Sequence, residues 1–231
     1  MQTAPSKELL EKHNISRVTI AGDTRFDRVY KISLQAKPLP LIEGFAKGST
    51  TLVAGSTWEK DEQMLAEYIE TCGHGNLKWI IAPHEVHAAH IAKITNLFKH
   101  KPLLYTNIDA NTNIKDYSIL IIDTIGLLSS AYQYGQMAYI GGGFGVGIHN
   151  ILEAATFGLP VIFGPNYHKF KEAIDLIKLG GAFSIKSKGQ LQQHLDMLIA
   201  NEDKRQAASN ISREYISKNL GATEIIVGAT F

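Results

Sequence analysis

Five of the seven residues from 141 to 147 are glycine, and this cluster constrains the fold more than any other feature of the chain. It directly follows an apolar stretch, Met137–Ile140, that predicts a buried strand, and an amphipathic helix is predicted to begin near Asn150. Glycines allow a backbone to approach a ligand closely, and the start of a helix offers unpaired N–H groups. The segment therefore favours a phosphate-binding turn between a strand and a helix.

The glycine cluster matches neither of the two common phosphate-binding fingerprints. No register through 141–150 gives Gly-x-Gly-x-x-Gly, and no Gly-Lys-Ser/Thr follows. The plain alternative is a turn whose glycines serve only tight packing, but five glycines are more than a turn requires and favour ligand binding. Asn150 and Glu153 lie one helical turn apart and are predicted to share a face, on which they could hold ribose hydroxyls.

The composition indicates a globular protein without a nucleic-acid partner. Hydrophobic residues make up 45% of the 231 positions, which is enough for a large core. Lys and Arg number 23 against 22 Asp and Glu, so the basic surface typical of nucleic-acid binding is not expected. Cys72 is the only cysteine, which excludes an internal disulfide, and its position late in an apolar-faced predicted helix favours a buried structural thiol over a nucleophile. No apolar stretch is long enough to span a membrane, so the chain as given is expected to be soluble.

Short apolar stretches alternate with helical patterns along the chain. This order predicts βαβ units and an α/β fold, a doubly wound parallel sheet of about six core strands. Residues 1–40 are interpreted as a helix, a lone strand and an interdomain segment left from a longer chain, and residues 41–231 as a Rossmann-like domain. The predicted strands are 17–21, 51–54, 79–82, 103–106, 118–123, 137–140, 161–163 and 182–185. The predicted helices include 5–13, 24–33, 84–98, 127–134, 168–178, 190–199 and 203–218.

Residues that directly follow the strands are the ones expected to meet a ligand, because ligands of such sheets bind beyond the carboxyl ends of the strands. Several of these segments carry helix-start signatures, so their N-termini would converge into an anion site. Ser56 and Glu59 are predicted to form a capping box, and Asp123 either caps the next helix or contacts the ligand. The segments are 55–57, 83–85, 123–126, 141–150 and 164–166.

The histidines and lysines near these segments do not predict a metal site. His84, His87 and His90 follow one another at spacings of three, which turns the third side chain away from the first two on a helix. The His-Glu-x-x-His pattern and a nearby cysteine are also absent, so no metal is expected, and only His84 is predicted to touch a ligand. Lys169 and Lys171 either face a phosphate or belong to a solvated helix start.

An ordered set of short motifs resembles the 3-deoxy-D-manno-octulosonic acid (Kdo) transferases. The resemblance runs over about residues 15–180 and covers the C-terminal half of that family. The motifs are Gly22-Asp23-Thr24-Arg25-Phe26-Asp27, Gly55-Ser56-Thr57-x-Glu59, Pro83-His84-Glu85, Asp123-Thr124-x-Gly126, the glycine cluster with His149-Asn150-x-x-Glu153, and Phe163-Gly164-Pro165.

The resemblance implies a GT-B glycosyltransferase, in which two Rossmann-like domains face each other across a cleft. It implies inverting, metal-independent transfer of Kdo from CMP-Kdo, without a cofactor, to a lipid A precursor in lipopolysaccharide biosynthesis. In that family the N-terminal half carries the general base, the acceptor site and the membrane anchor. The isolated chain is therefore expected to bind the donor without catalysing transfer. The whole protein is expected at the cytoplasmic face of the bacterial inner membrane.

The family motifs also imply which residues bind the donor. Ser56 would hold the phosphate or the Kdo carboxylate, Glu153 the ribose, and Asn150 the glycine segment or the phosphate. The cytidine would be framed by His84-Glu85 and by 124–126. The full set of implied donor-binding residues is Gly55, Ser56, Thr57, Pro83, His84, Glu85, Asp123, Thr124, Ile125, Gly126, Gly142, Gly143, Phe144, His149, Asn150 and Glu153.

Three positions depart from the family pattern, and two other functions stay open. Pro83 stands where the family usually has arginine, Leu127 where it has glutamate, and Ile148 where it has glycine. One alternative is a GT-B transferase or epimerase domain that uses a UDP-sugar, since a similar Glu motif follows glycine segments there. The other is a nucleotide-binding module without chemistry, because the chain offers no convincing acid or base.

Overall fold

The computed structural model describes residues 1–72 and 75–230 and contains one all-parallel sheet. Seven strands are present in these ranges, in the order β3-β4-β2-β1-β5-β6-β7. The doubly wound parallel fold predicted from the sequence is confirmed. The strands are β1 (Thr50–Thr57), β2 (Leu77–Pro83), β3 (Leu103–Leu104), β4 (Ile119–Ile121), β5 (Met137–Ile140), β6 (Val161–Phe163) and β7 (Ala182–Ser184).

Eleven α-helices flank the sheet within the same described ranges. They are α1 (Ala4–Lys12), α2 (Thr24–Leu34), α3 (Pro40–Ala46), α4 (Glu59–Ile69), α5 (Ala88–Thr95), α6 (Leu128–Ala131), α7 (Leu152–Ala155), α8 (Lys171–Leu179), α9 (Lys188–Ala200), α10 (Glu202–Lys218) and α11 (Ala222–Thr230). No helix in the described part of the chain is both long and apolar enough to cross a membrane.

The central strands are apolar on both faces because helices cover the sheet from both sides. In β1, Val53 belongs to the core cluster on one face, while Leu52 and Ala54 belong to the cluster on the other. Each of these three side chains is at most 1% exposed. Such continuous burial is typical of a parallel sheet with two helical layers.

The strand order reverses direction beside β1, and this point positions the site. From β1 the chain passes to β2, then to β3 and β4 on the same side, and returns to β5 on the other side of β1. The paired residues Gly55 and Ile140 mark the carboxyl ends of β1 and β5. In open parallel sheets the crevice beyond such a reversal is where ligands bind.

The N-terminal segment differs from its prediction in one element. Residues 17–21 form no strand, and their backbone pairs instead with the first residue of the chain: the Met1 amine donates to the Thr19 carbonyl, and Ala21 N–H to the Met1 carbonyl. Helix α2 is confirmed, and its Asp27 carboxylate accepts the Gly221 and Thr223 N–H groups at 2.7 Å each. The division at residue 40 stays a prediction.

Three helices are much shorter than predicted. The 84–98 helix is only α5, because the His87 ring caps it by accepting the His90 N–H at 3.2 Å. The helix expected to begin near Asn150 is the four-residue α7, and Gly158 with a φ of 75° directs the chain away shortly after it. The 127–134 helix consists of α6 followed by a short 3₁₀ turn.

Candidate functional site

The end of β1 departs from regular strand geometry where it reaches the crevice. The register with β2 shifts between Gly55 and Thr57. Ser56 between them has a φ of 52°, a backbone angle that residues other than glycine rarely adopt. A Cβ on Gly55 would lie 2.0 Å from the Tyr132 hydroxyl oxygen, so only glycine fits there. Strained backbone of this kind concentrates at functional sites.

The capping box predicted between Ser56 and Glu59 is wrong. Helix α4 begins one residue after Trp58, whose N–H donates to the Asp61 carboxylate at 3.0 Å. Glu59 instead pairs with Lys93, with 2.7 Å between the carboxylate and the ammonium. The cap is therefore displaced by two residues, since the bulge at Ser56 extends the strand beyond its predicted end.

Asp61 connects the start of α4 to the glycine segment, and the sequence analysis missed it. Its side chain is 1% exposed and accepts three hydrogen bonds. The donors are the Tyr139 hydroxyl at 2.7 Å, the Gly142 N–H at 3.0 Å and the Trp58 N–H. Burial and this carboxylate raise the pKa of Tyr139 well above its usual value, which keeps the phenol a donor. An acidic residue in the first turn of a predicted helix was the available signal.

Glu62 forms a second buried connection beside Asp61. It accepts the Thr57 hydroxyl and lies 3.0 Å from the His90 Nε2. Burial raises the pKa of Glu62, although His90 and Thr57 act in the opposite direction. His90 is thus tied to a structural carboxylate, and no group of three potential metal ligands occurs in the part of the chain described.

The glycine segment packs more tightly against its neighbours than a ligand-binding turn would require. A Cβ on Gly141 would lie 2.2 Å from the Ser56 carbonyl oxygen, and one on Gly143 would lie 2.6 Å from the Gly164 backbone. Gly142 has a φ of 89°. The packing alternative therefore explains these three glycines by itself. Gly145 differs, because the nearest atom to its Cβ would be 3.5 Å away.

The glycine segment still offers unpaired N–H groups at the crevice. Gly142 donates to Asp61, and Gly145 donates to the Gly142 carbonyl at 2.9 Å. Within the described residues, the N–H groups of Gly143 and Phe144 have no acceptor. Backbone N–H groups that lack an acceptor in successive residues are suited to bind an anion.

Three aromatic rings form a stack at the same edge. The His84 ring lies over both other rings, with centroid distances of 4.5 Å to Trp58 and 4.6 Å to His149. The Trp58 Nε1–H donates to the His149 Nε2 at 2.9 Å. Burial, followed by the neighbouring His84, lowers the pKa of His149. The His149 ring is therefore held neutral, with Nε2 free of a proton as the tryptophan requires.

Asn150 and Glu153 are in contact, but Asn150 precedes the helix on which both were predicted to lie. The Asn150 Nδ2 donates to the Glu153 carboxylate at 3.1 Å, and the Asn150 Oδ1 accepts the Leu152 N–H. Burial raises the pKa of Glu153, while Asn150 and Arg28 partly offset this effect. The pair presents a half-buried carboxylate with free acceptor capacity at the crevice.

The remaining predicted residues lie at the same edge of the sheet, but the carboxylate of Asp123 is already engaged in hydrogen bonds within the protein. Asp123 does not cap a helix; it accepts the Thr106 N–H at 3.0 Å and the Thr106 hydroxyl, and so fixes the segment after β3. Glu85 lies 3.3 Å from the His87 ring. Thr124 is half-buried, whereas Ile125 and Gly126 are exposed beyond β4. Pro83 is buried as the last residue of β2.

A pocket of about 380 Å3 opens between the start of α4 and the glycine segment. Its walls are mostly apolar and include Trp58, Phe144, Val146 and His149. The ammonium of Lys60 lies 5.0 Å from the centroid of the Phe144 ring. The arrangement combines an apolar floor, a cation and nearby unpaired amides, which together suit an anionic ligand with an apolar face.

Comparison with known proteins identifies relatives over most of the chain. The 3-deoxy-D-manno-octulosonic acid transferase of Aquifex aeolicus is 26% identical over 205 residues, 87% of this chain and 53% of the relative. The Rickettsia bellii transferase of the same name is 26% identical over 206 residues, again 87% of this chain and 49% of the relative. This chain is related to the Kdo transferases. It spans about half the length of these curated relatives, and no family model matches it.

Solved structures share the fold of this chain. The C-terminal CMP-Kdo binding domain of WaaA from Acinetobacter baumannii has a TM-score of 0.60 at 19% identity, covering 82% of this chain and 97% of that domain. The UDP-GlcNAc 2-epimerase of Neisseria meningitidis has a TM-score of 0.65 at 16% identity, covering 98% of this chain and 58% of the epimerase. The predicted resemblance to Kdo transferases and the Rossmann-like half of a GT-B fold are confirmed.

Proposed function

We propose that this chain is the donor-binding domain of a glycosyltransferase that takes Kdo from CMP-Kdo in lipopolysaccharide biosynthesis. The observation that carries the proposal is the similarity to Kdo transferases over 87% of the chain. The fold shared with a CMP-Kdo binding domain supports it. The same proposal includes a lipid A precursor as the acceptor and transfer with inversion at the sugar and without a metal. It also includes attachment of the whole protein to the inner membrane.

The site supports a role in binding and stabilising the leaving nucleotide. Cleavage of the donor develops negative charge on CMP, and fixed N–H groups stabilise such charge without reorganising. The proposal assigns that task to the N–H groups of Gly143 and Phe144, which have no acceptor within the described residues. Glu153 accepts the ribose hydroxyls, and Asn150 orients it through their hydrogen bond. The general base is proposed to lie in another part of the whole protein, so this chain alone binds donor without transferring sugar.

Calorimetric titration of the chain with CMP and UMP tests the proposal, with Glu153→Ala as the diagnostic variant. Loss of charge-assisted hydrogen bonds to the ribose corresponds to about 1.5–3 kcal/mol, so CMP affinity should fall roughly tenfold to a hundredfold. Glu43→Ala is the matched control, because this exposed glutamate lies at the opposite edge of the sheet beside Thr50. Equal affinities for CMP in both variants would contradict the ribose role.

The raised pKa of Glu153 adds a pH test to the same titration. A protonated carboxyl group has fewer acceptor sites, so the ionised form binds the ribose hydroxyls better. CMP affinity should therefore decrease as the pH falls through a pKa raised above the ordinary 4.5 of a glutamate. The decrease should be smaller in the Glu153→Ala variant, in which only the titration of CMP itself and of other groups remains.

A UDP-sugar is the second candidate donor. The observation in its favour is the more extensive overlap with the epimerase, at a TM-score of 0.65 over 98% of the chain. Tighter binding of UMP than of CMP would favour this candidate over CMP-Kdo. A nucleotide-binding module without chemistry would be indicated if the whole protein bound CMP-Kdo without transferring the sugar.

A further inference from the structure

The apolar pocket beside the glycine segment is lined by the cation Lys60 and by two carboxylates, Glu59 and Asp61. Within the described residues Lys60 makes no salt bridge with either of them, and its ammonium lies over the Phe144 ring in a cation–π contact. The nearest acidic residues in sequence are engaged elsewhere. Glu59 pairs with Lys93, and Asp61 is buried and accepts three hydrogen bonds.

The aromatic wall of this pocket is fixed before any ligand arrives. Trp58 is 39% exposed, yet its ring is held by the hydrogen bond to His149 and by stacking under His84. Sugar rings carry an apolar face of C–H groups that packs against a flat aromatic surface. A preorganised ring loses little conformational entropy on binding, which increases affinity.

From the pocket and its cation we infer that this site takes the acidic sugar of the donor, with the ring against Trp58 and Phe144 and the sugar carboxylate on Lys60. The inference rests on the proposed function and assigns the part of the donor that distinguishes an acidic sugar from a neutral one. Lys60 is thereby a specificity residue, since a neutral sugar offers no partner for its charge. The pocket volume of about 380 Å3 accommodates a single monosaccharide.

The test compares CMP-Kdo with CMP on the unsubstituted chain and on Lys60→Gln. CMP lacks the sugar, so the ratio of the two dissociation constants isolates the sugar contribution. The substitution should weaken CMP-Kdo binding by roughly fivefold to tenfold, the range for a solvent-accessible ion pair with a charge-assisted hydrogen bond. CMP binding should stay within twofold. Lys47→Gln, an exposed lysine beyond α3, is the matched control and should change neither ligand.

Trp58 supplies a second readout that does not depend on affinity. The chain has two tryptophans, and the other, Trp79, is only 3% exposed. CMP-Kdo should change the tryptophan emission more than CMP does, and Trp58→Phe should abolish that difference.

The outcomes separate this inference from the function on which it rests. Absence of CMP and CMP-Kdo binding to the unsubstituted chain would overturn both. Binding of both ligands with an unchanged ratio in Lys60→Gln would overturn the sugar assignment alone. An equal loss for CMP and CMP-Kdo would also overturn it, because the lysine would then face the phosphate.

Discussion

Replacing Asp61 by alanine and, separately, by asparagine distinguishes the geometric role of this buried carboxylate from its charge. Alanine removes the acceptor of three donors, of which the Tyr139 hydroxyl and the Gly142 N–H are buried. Leaving each buried donor unpaired costs about 1–3 kcal/mol. Part of this is offset because the desolvated carboxylate itself is gone, so Asp61→Ala should lower the free energy of unfolding by about 2–5 kcal/mol.

Asparagine has nearly the same shape and can keep one hydrogen bond to each of the three partners. Its carbonyl oxygen can accept both N–H groups that now share one carboxylate oxygen, Trp58 N–H and Gly142 N–H. Its NH₂ group can donate to the Tyr139 hydroxyl oxygen, which reverses that hydrogen bond and leaves the phenol hydrogen without its acceptor. The charge assistance and this one acceptor are lost, so Asp61→Asn should cost about 1–3 kcal/mol and less than Asp61→Ala.

Urea unfolding followed by circular dichroism and tryptophan fluorescence measures both variants. The slope of the free energy against urea should be unchanged, so that the midpoint alone reports stability. Asp203→Ala, an exposed acidic residue at the start of α10, serves as control and should change stability by at most about 1 kcal/mol. An Asp61→Ala variant within 1 kcal/mol of the unsubstituted chain would refute the reasoning, as would Asp61→Asn equal to Asp61→Ala.

Two further predictions concern the glycine segment and the ring stack. Gly143→Ala should destabilise the fold by about 1–3 kcal/mol, because its Cβ would lie 2.6 Å from the Gly164 backbone. Gly145→Ala should change stability by less than about 0.5 kcal/mol, because the atom nearest to its Cβ would be 3.5 Å away. Thermal unfolding of the two variants measures the difference. Because burial lowers the pKa of His149 below 6.5, unfolded chains bind more protons just below that pH, and His149 therefore costs stability as the pH falls. A pH titration of Trp58 fluorescence should show a transition below 6.5 that His149→Gln abolishes and His194→Gln retains.

The layered fold could be predicted from the sequence because strand burial leaves a direct pattern. The consecutive apolar residues of β1 and β4 signal strands covered on both faces, and parallel pairing follows from the helices between them. Residues 17–21 show why the same signal fails near a terminus. Their apolar residues pair with the N-terminal residue rather than with the sheet, and sequence periodicity carries no information about which partner is available.

The candidate site was predictable where function depends on short local motifs. Asn150 and Glu153 are three residues apart at a predicted helix start, so the sequence could anticipate their contact, although Asn150 precedes α7 instead of lying on it. Asp61 could not be found in that way, because its importance depends on Tyr139 and Gly142, which are about 80 residues away and reach it only through the sheet. The glycine segment was interpreted as a ligand loop for a similar reason, since the neighbouring backbone at Gly164 is brought close only by the pairing of β5 with β6.

The most direct test of the central claim is a crystal structure of this chain with CMP. The account predicts that CMP lies at the carboxyl edge of the sheet, with its phosphate at the N–H groups of Gly143 and Phe144. The ribose hydroxyls should be within hydrogen-bond distance of the Glu153 carboxylate. CMP bound at any other part of the surface, or beside the glycine segment with its ribose away from Glu153, would contradict the account.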